Sequence, residues 1–512
     1  MGNPLRNVGG MPLQFLITLA CSSGFLLFGY DQGVFSGVIE TPYFLDVFNN
    51  PDSNLLGTVS AIYDVGGAIG AIACMITGNR LGRKRTIMIG CIIVIVGAII
   101  QGSSKTIAQL IVGRIVSGVG VGQLTSTIGI WQAETSEAHN RGMLMSIELT
   151  LCALGLLISQ WTNYGLGTNN GLFAFCFPIY FQIVFLMGTL ALVPCLPESP
   201  RWLVSRGKMS DAAEVLLWIS SDATSVQDEK IQSTLLAMEE IVLLENISGW
   251  EWFRSLFNGG PTQNGRRVAM AVSINMFQQL TGINSVTYYV PTLLTTFIGV
   301  SRSDSLWIAG LTSVVSLTFS LIPVFSIDKL GRLPFMISGS AIQGISFFIV
   351  AGLYANLPEE GTAAAKSYGI AIVSFIFIYF AGFSACWLGP SFMYSAEILP
   401  LKGRTHGMGL GIVFYWLFNF LIVMITPTAL ERISWKYYVI LGVFNMAFVP
   451  CLWFFVETKG KTLEELDVYF AERYHGGREL RDVENALHLR DAEEKSEAPV
   501  QIEHAQQTAA QP

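Results

Sequence analysis

The chain reads as an all-α membrane protein: twelve transmembrane helices in two six-helix bundles, with short cytosolic helices. Three observations predict this. Of 512 residues, 51% are hydrophobic and only 13% charged, where a soluble domain carries about a quarter. The apolar residues gather into stretches of the length a bilayer demands, about 20 residues per helix. The charged segments between those stretches are written twice. Glu134 and Arg141 in ETSEAHNRG match Glu397 and Arg404 in EILPLKGR, and Arg80-Leu81-Gly82-Arg83-Lys84 matches Asp328-Lys329-Leu330-Gly331-Arg332. Charged loops repeated between apolar spans point to a duplicated transporter whose two bundles are related by an axis along the membrane normal.

The elements follow in order. The first span, 13–38, is too long for a signal-peptide core of roughly 7–15 residues, and its apolar run is interrupted by Asp31. Spans at 56–78, 87–104, 107–131, 143–165 and 173–195 complete an N-terminal bundle placed at 1–196. Gly118, Gly120 and Gly122 in the fourth span have dinucleotide-loop spacing, but inside a span small residues let helices pack closely. Residues 197–267 form a polar linker whose patterns AAEVLLWI and IQSTLLAMEEIVLLE predict short interfacial or cytosolic helices. The C-terminal bundle, 268–456, holds spans at 268–298, 306–326, 334–355, 367–396, 407–429 and 436–456. Residues 457–512 are expected to give a cytosolic helix and then an acidic tail too polar to fold. Basic residues concentrate on one side, in the loops around Arg80–Arg85, Arg141, Arg201–Lys208, Arg266-Arg267, Lys329–Arg332 and Lys402–Arg404. The positive-inside bias therefore puts both termini in the cytosol.

Several chemistries are disfavoured. The sequence pI near 5.4, without a basic domain, argues against nucleic-acid binding. The eight cysteines lie in or at the ends of apolar stretches without a CxxC pair, as packing residues do. Gly460-Lys461-Thr462 ends like a phosphate loop but lacks its first glycine, since position 455 is Phe. No metal, cofactor or enzymatic activity is expected, and energy for pumping would come from an ion gradient.

Polar side chains inside the spans carry the candidate chemistry. Gln160, Gln278, Gln279, Asn284 and Asn419 are amides, which donate and accept together and so match hydroxyl groups. Tyr288, Tyr289 and Trp416 offer faces that stack on or close over a ring. A single amide serves equally well to join helices; the grouping of Gln278 and Asn284, with Gln160 in the other half, favours binding. Asp31 in GYDQG is an acid within a span, costing roughly 2.5–3.5 kcal/mol on insertion scales, and is read as functional, with Arg114 of the fourth span as its partner. A static ion pair that specifies packing is the alternative. Arg80, Arg83, Glu134, Arg141, Asp328, Arg332, Glu397 and Arg404 are expected to form a gate network on the cytosolic face. Isolated surface pairs contribute only about 0–1 kcal/mol, and it is the duplication that argues for a network.

The segments GYDQG, GNRLGRKR, GRIVSGVGVG, ETSEAHNRG, PESPRWL, QQLTGIN with its following YY, DKLGR, EILPLKGR and VETKGKTLEELD together resemble the sugar porter family of the major facilitator superfamily, with WQAETSEAHNRG similar to fungal members. The resemblance runs from Phe28 to about Leu466. It implies the major facilitator fold, a central sugar or polyol site and alternating access. It also carries the family's sugar-binding amides onto Gln160, Gln278, Gln279, Asn284 and Asn419, and its proton-coupling pair onto Asp31 and Arg114. Four departures stand out: Asn79 before RLGRK, Val456 before ETK, Ser316 where the family has asparagine, and Phe392 where it has a sugar-stacking tryptophan. The last two fall in the site and loosen the expectation of glucose, leaving pentoses, polyols, disaccharides and sugar acids open. The expectation is a proton-coupled sugar or polyol symporter, functional as a monomer in the plasma membrane. A facilitative uniporter is the alternative. A non-transporting sensor fits less well, because sensors of this family tend to carry a longer tail.

Overall fold

The computed structural model describes residues 9–470 apart from 137–140, 168–170, 221–224, 246–248, 258–262, 359–361, 401–403, 462–464 and 467–468. Every regular element among the described residues is helical. The first half contains α1 (Met11–Val38), a short α2 (Pro42–Val47), α3 (Ser53–Leu81), α4 (Arg83–Gly102), α5 (Ile107–Thr135), α6 (Arg141–Gly165) and α7 (Leu172–Leu192). The linker folds as α8 (Pro200–Ser205), α9 (Met209–Ile219), α10 (Glu229–Glu245) and α11 (Gly249–Ser255). The second half contains α12 (Asn264–Leu280), α13 (Ile283–Ile298), α14 (Arg302–Leu330), α15 (Arg332–Ala355), α16 (Ala363–Cys386), α17 (Pro390–Ile398), α18 (Arg404–Ile433) and α19 (Lys436–Trp453). Among the described residues ten segments, counting α16 with α17, are long and apolar enough to cross a bilayer. With α6 and the α12–α13 pair they make the twelve spans of the major facilitator fold. Large apolar side chains such as Phe15, Ile76, Met187, Phe325 and Ile370 project from the bundle, as lipid-facing residues do.

Three spans depart from the simple reading. Asp31 interrupts the apolar run but not the helix, since α1 is continuous through it. The seventh span is two helices. Gly282 takes the left-handed conformation (φ +89°), and the Thr281 carbonyl freed by the break accepts from Tyr379 Oη at 3.0 Å and Asn445 Nδ2 at 3.1 Å. A break inside a bilayer is tolerated only where neighbours satisfy the loosened backbone in this way. The tenth span breaks between Cys386 and Pro390, where proline lacks the N–H that would continue the ladder.

Glycine sets the close approaches within the first half. A Cβ on Gly118 would lie 2.1 Å from the Tyr63 carbonyl, one on Gly122 2.1 Å from that of Gly67, and one on Gly120 2.6 Å from that of Gly90. Thus α5 touches α3 and α4 backbone to backbone, the packing use of small residues in membranes. The two halves meet chiefly along α3 with α18 and α6 with α14. In the linker, Gln14 Nε2 of α1 donates to Ile219 O of α9 at 3.2 Å. Trp252 of α11 stacks on His406 of α18 with ring centroids 5.3 Å apart. The chain after α19 folds back too: Gln263 Nε2 donates to Phe470 O at 2.6 Å, and the Arg267 guanidinium sits 4.9 Å from the Phe470 ring.

Candidate functional site

A relay of amides crosses from one half to the other. Gly282 lies between α12, which ends just after Gln278 and Gln279, and α13, which starts just before Asn284, so the break brings Gln279 and Asn284 together. Asn284 Nδ2 donates to Gln279 Oε1 at 2.9 Å and to Asn419 Oδ1 of α18 at 2.7 Å. Asn419 Nδ2 in turn donates to Asp64 Oδ1 of α3 at 3.0 Å. Every member is buried. In the relay and on the helices that carry it or pack on it, several buried polar atoms have no protein partner: Gln278 Oε1, Gln279 Nε2, Tyr288 Oη, Trp416 Nε1, Asp64 Oδ2 and, on α1, both amide atoms of Gln32. Buried polar groups are normally hydrogen-bonded, and unpaired ones cost about 1–3 kcal/mol each. Two of them, Gln279 Nε2 and Asp64 Oδ2, belong to relay members themselves, and a hydroxyl-rich ligand would satisfy them.

The remaining candidate residues divide into those near this relay and those bonded elsewhere. Trp416 is fully buried; its ring meets Phe28 and Tyr63 edge-on at 5.8 and 5.9 Å, and it has room because Gly67 faces it, where a Cβ would come within 2.5 Å. Gln160 of α6 accepts from Ser36 of α1 at 3.2 Å through its Oε1. Tyr289 donates to the Val423 carbonyl at 3.2 Å, binding α13 to α18. Ser316 pairs with Ser384 of α16 at 2.7 Å. Phe392 of α17 lies half-buried, 5.7 Å from the Tyr415 ring.

Asp31 and Arg114 are both buried, but no direct ion pair joins them among the described residues. Tyr63 stands between. Its hydroxyl donates to Asp31 Oδ2 at 2.8 Å, and the Arg114 guanidinium lies over its ring at 4.6 Å and over Phe35 at 4.0 Å. Arg114 spends its N–H groups on the backbone of α3, with Nη2 to Ser60 O at 2.7 Å. The expected pair is therefore a relay through an aromatic ring. Arg114 is also not the only ionisable residue available inside the first half. Asp64 of α3 and Glu148 of α6 are fully buried acids that the sequence reading missed. The signal was present: each is an acid within a predicted span.

The duplicated charges lie together on one face, called the basic face here. Arg83 grips Glu134 through two bonds, Nε to Oε2 and Nη2 to Oε1, each 2.9 Å. Arg332 pairs with the matching acid Glu397 through Nη2 alone, at 2.8 Å, and adds Asp328 at 3.0 Å. Arg404 donates to the Ala396 carbonyl through Nε at 3.0 Å. Arg80 is exposed, and the Arg141 side chain lies outside the described residues. A further pair of acids belongs to the pattern. Glu198 accepts from the backbone N–H groups of Arg83 and Lys84 at 3.0 and 3.3 Å; Glu457 accepts from those of Arg332 and Leu333 at 3.0 and 2.8 Å. Each carboxylate caps the helix that follows a left-handed glycine, Gly82 at φ +87° or Gly331 at φ +101°, where the helix dipole favours an anion.

The opposite face is closed between the halves. Asn54 Oδ1 accepts from Thr428 Oγ1 at 2.7 Å, Thr292 Oγ1 donates to Glu40, and a Cβ on Gly57 would lie 2.5 Å from the Met424 carbonyl. Burial raises the Glu40 carboxyl above its ordinary value, opposed by the Thr292 hydrogen bond and the Arg302 charge. Toward the basic face two crevices remain between the halves. One is lined by Cys74, Met75, Thr127, His406 and Met408, the other by Leu149, Ser320, Ser384 and Met393.

A bundle of this fold, with a polar relay between its halves and one face closed, is a membrane transporter of the major facilitator class. The family model described as "Sugar (and other) transporter" matches residues 16–470, and the chain belongs to that family. The MFS-type transporter oryC of Aspergillus oryzae is 36% identical over 475 residues, covering 91% of this chain and 87% of that protein. The sugar transporter STL1 of Saccharomyces cerevisiae is 35% identical over 492 residues, covering 93% and 85%. Among solved structures, the proton:xylose symporter XylE bound to 6-bromo-6-deoxy-D-glucose matches with a TM-score of 0.75 at 25% identity, over 90% of this chain and 99% of that one.

Proposed function

We propose that this transporter is a proton-coupled symporter of a sugar or polyol, working as a monomer by alternating access in the plasma membrane with both termini cytosolic. The observation that carries the reading is the adjacency of two sites on one turn of α3. Tyr63 bonds the acid Asp31, and Asp64 bonds the amide relay. An ionisable group and a hydroxyl-binding group held one residue apart are placed to sense each other.

Substrate hydroxyls would pair with Gln278, Gln279, Asn284, Asn419 and Gln160, with Trp416, Tyr288 and Tyr289 closing over the ring or chain. Protonation of Asp31 would remove the charge that Tyr63 and Arg114 face, biasing the equilibrium between outward and inward states. The charge clusters on the basic face each lie within one half, and in this reading they hold the helix ends that part and rejoin as the halves rock. The domain limits follow: a bundle at 1–196, a cytosolic linker at 197–267, a second bundle at 268–456 and a cytosolic end at 457–512.

The test is radiolabelled uptake by a transport-deficient yeast across sugars, polyols and sugar acids, with and without a protonophore. Accumulation that collapses with the protonophore is the expected result. Uptake indifferent to it replaces symport with facilitated uniport, and binding without uptake makes the protein a sensor.

A further inference from the structure

We propose that Asp64 is a second proton-carrying acid of the transport cycle, one that exchanges its partner Asn419 with the substrate and so ties substrate occupancy to proton binding. The inference rests on the symport reading above and deepens it.

Asp64 is fully buried, and its bonding is half complete. Oδ1 accepts from Asn419 Nδ2 at 3.0 Å, while Oδ2 has no protein partner. Asn419 is the last member of the relay that starts at Gln279, and Asp64 holds one of the two hydrogens on its Nδ2, so a substrate that draws the amide toward itself acts on that bond. The groups facing Asp64 are Arg114 from α5, Tyr288 and Tyr289 from α13, Tyr415 from α18 and, through the shared field at Tyr288, Asp31 from α1. Only Arg114 among them is a cation. Two carboxylates and one guanidinium leave a net negative charge when both acids are ionised. An uncompensated charge away from water is costly, and one bound proton removes it. Glu148, the other buried acid, faces Cys21 instead. Asp31 and Asp64 share Arg114 as their cation, and where two acids interact strongly a change at one decides where the proton resides.

The step balances simply. With the site empty, the Asn419 amide stabilises the Asp64 carboxylate. A substrate hydroxyl that turns the Asn419 amide toward itself takes the bonded N–H away from the carboxylate. Asp64 then binds one proton from water on the opposite face and becomes a neutral carboxylic acid. When substrate leaves toward the basic face, the same proton leaves with it and Asn419 returns to the carboxylate.

The experiment is pH-difference infrared spectroscopy of the full-length protein in liposomes, without substrate, following the carbonyl band of buried protonated carboxyl groups from neutral to mildly acidic pH. Asp64→Asn should delete one titrating band, and Asp31→Asn should delete a different one. Asn419→Ala, which leaves the acid in place, should move the Asp64 midpoint to higher pH, because a carboxylate that loses a donor is less favoured. The proposal is overturned if Asp64→Asn leaves the wild-type spectrum intact, or if Asn419→Ala leaves the midpoint where it was. Proton-coupled uptake together with an absent Asp64 band keeps the symport reading and removes this inference. A present band with uptake indifferent to protonophore does the reverse: Asp64 titrates, and symport is withdrawn, taking with it the role assigned to that proton.

Discussion

Gln279 and Asn284 share a single hydrogen bond at the break in the seventh span, and each has a test. Gln279→Ala or Asn284→Ala should abolish high-affinity uptake while leaving the protein in the membrane, since each lost bond to a hydroxyl costs about 1–3 kcal/mol, roughly 5- to 150-fold in affinity. Wild-type uptake at normal surface expression would remove them from the site. Ser316 and Phe392 are argued as selectors of substrate. Phe offers a smaller stacking face than Trp and no N–H, and Ser316 is engaged with Ser384, so an asparagine there would have to displace that pair. Combining Phe392→Trp with Ser316→Asn should reorder the substrate panel more than it changes the maximal rate; an unchanged order rejects the assignment. Asp31→Asn fixes the neutral form and should abolish both accumulation and the alkalinisation that accompanies uptake, with exchange retained. The amides were legible because a polar group in an apolar window stands out. Tyr63 as the link between Asp31 and Arg114, and Asn419 as the partner of Asp64, were not legible. Those contacts depend on how α3 packs against α5 and α18, and no spacing within one helix encodes them.

Among the elements, runs of apolar sequence located the spans, because most of each one's surface faces lipid or packed apolar neighbours even where it carries a polar residue. The breaks were harder to read. Thr281 and Gly282 are ordinary helix-tolerated residues in a membrane, and what allows the break is Tyr379 and Asn445, which come from α16 and α19. Asn445→Ala should therefore leave the Thr281 carbonyl short of a donor and destabilise the protein by about 1–3 kcal/mol. The readout is a lower thermal midpoint of the purified protein with the order of preferred substrates unchanged. A shifted substrate order would instead place Asn445 in the site. The glycines of α5 were read as packing residues because they fall inside a span, and their close approaches to α3 and α4 bear that out.

For the molecule as a whole, the duplicated loops predict a duplicated stability. Arg83 and Glu134 have side chains only 11% and 8% exposed, so Arg83→Ala strands a nearly buried carboxylate, a change that costs about 3–5 kcal/mol. Arg332→Ala should cost less, because Glu397 is 29% exposed and keeps its bond from Thr458 at 2.6 Å. Among the described residues the two clusters use different acids, Glu134 for Arg83 and Glu397 with Asp328 for Arg332, so their effects should add to within about 0.5 kcal/mol when the double variant is melted. A large departure from additivity would mean that the halves communicate through this face even at rest.

The capping carboxylates have a consequence for how the protein is made. Glu198 closes the loop between α3 and α4, yet it lies beyond α7, and Glu457 closes the loop between α14 and α15 from beyond α19. Each half is therefore tied off by the stretch of chain that leaves it last. As the ribosome delivers the chain from its N-terminus, the first bundle receives its cap once residue 198 has emerged, before α12 is synthesised. Since domains form as units in the order of synthesis, the first bundle can settle its own basic face without waiting for the second. The inserting machinery thus handles two six-helix tasks in succession, each with a built-in signal that it is finished.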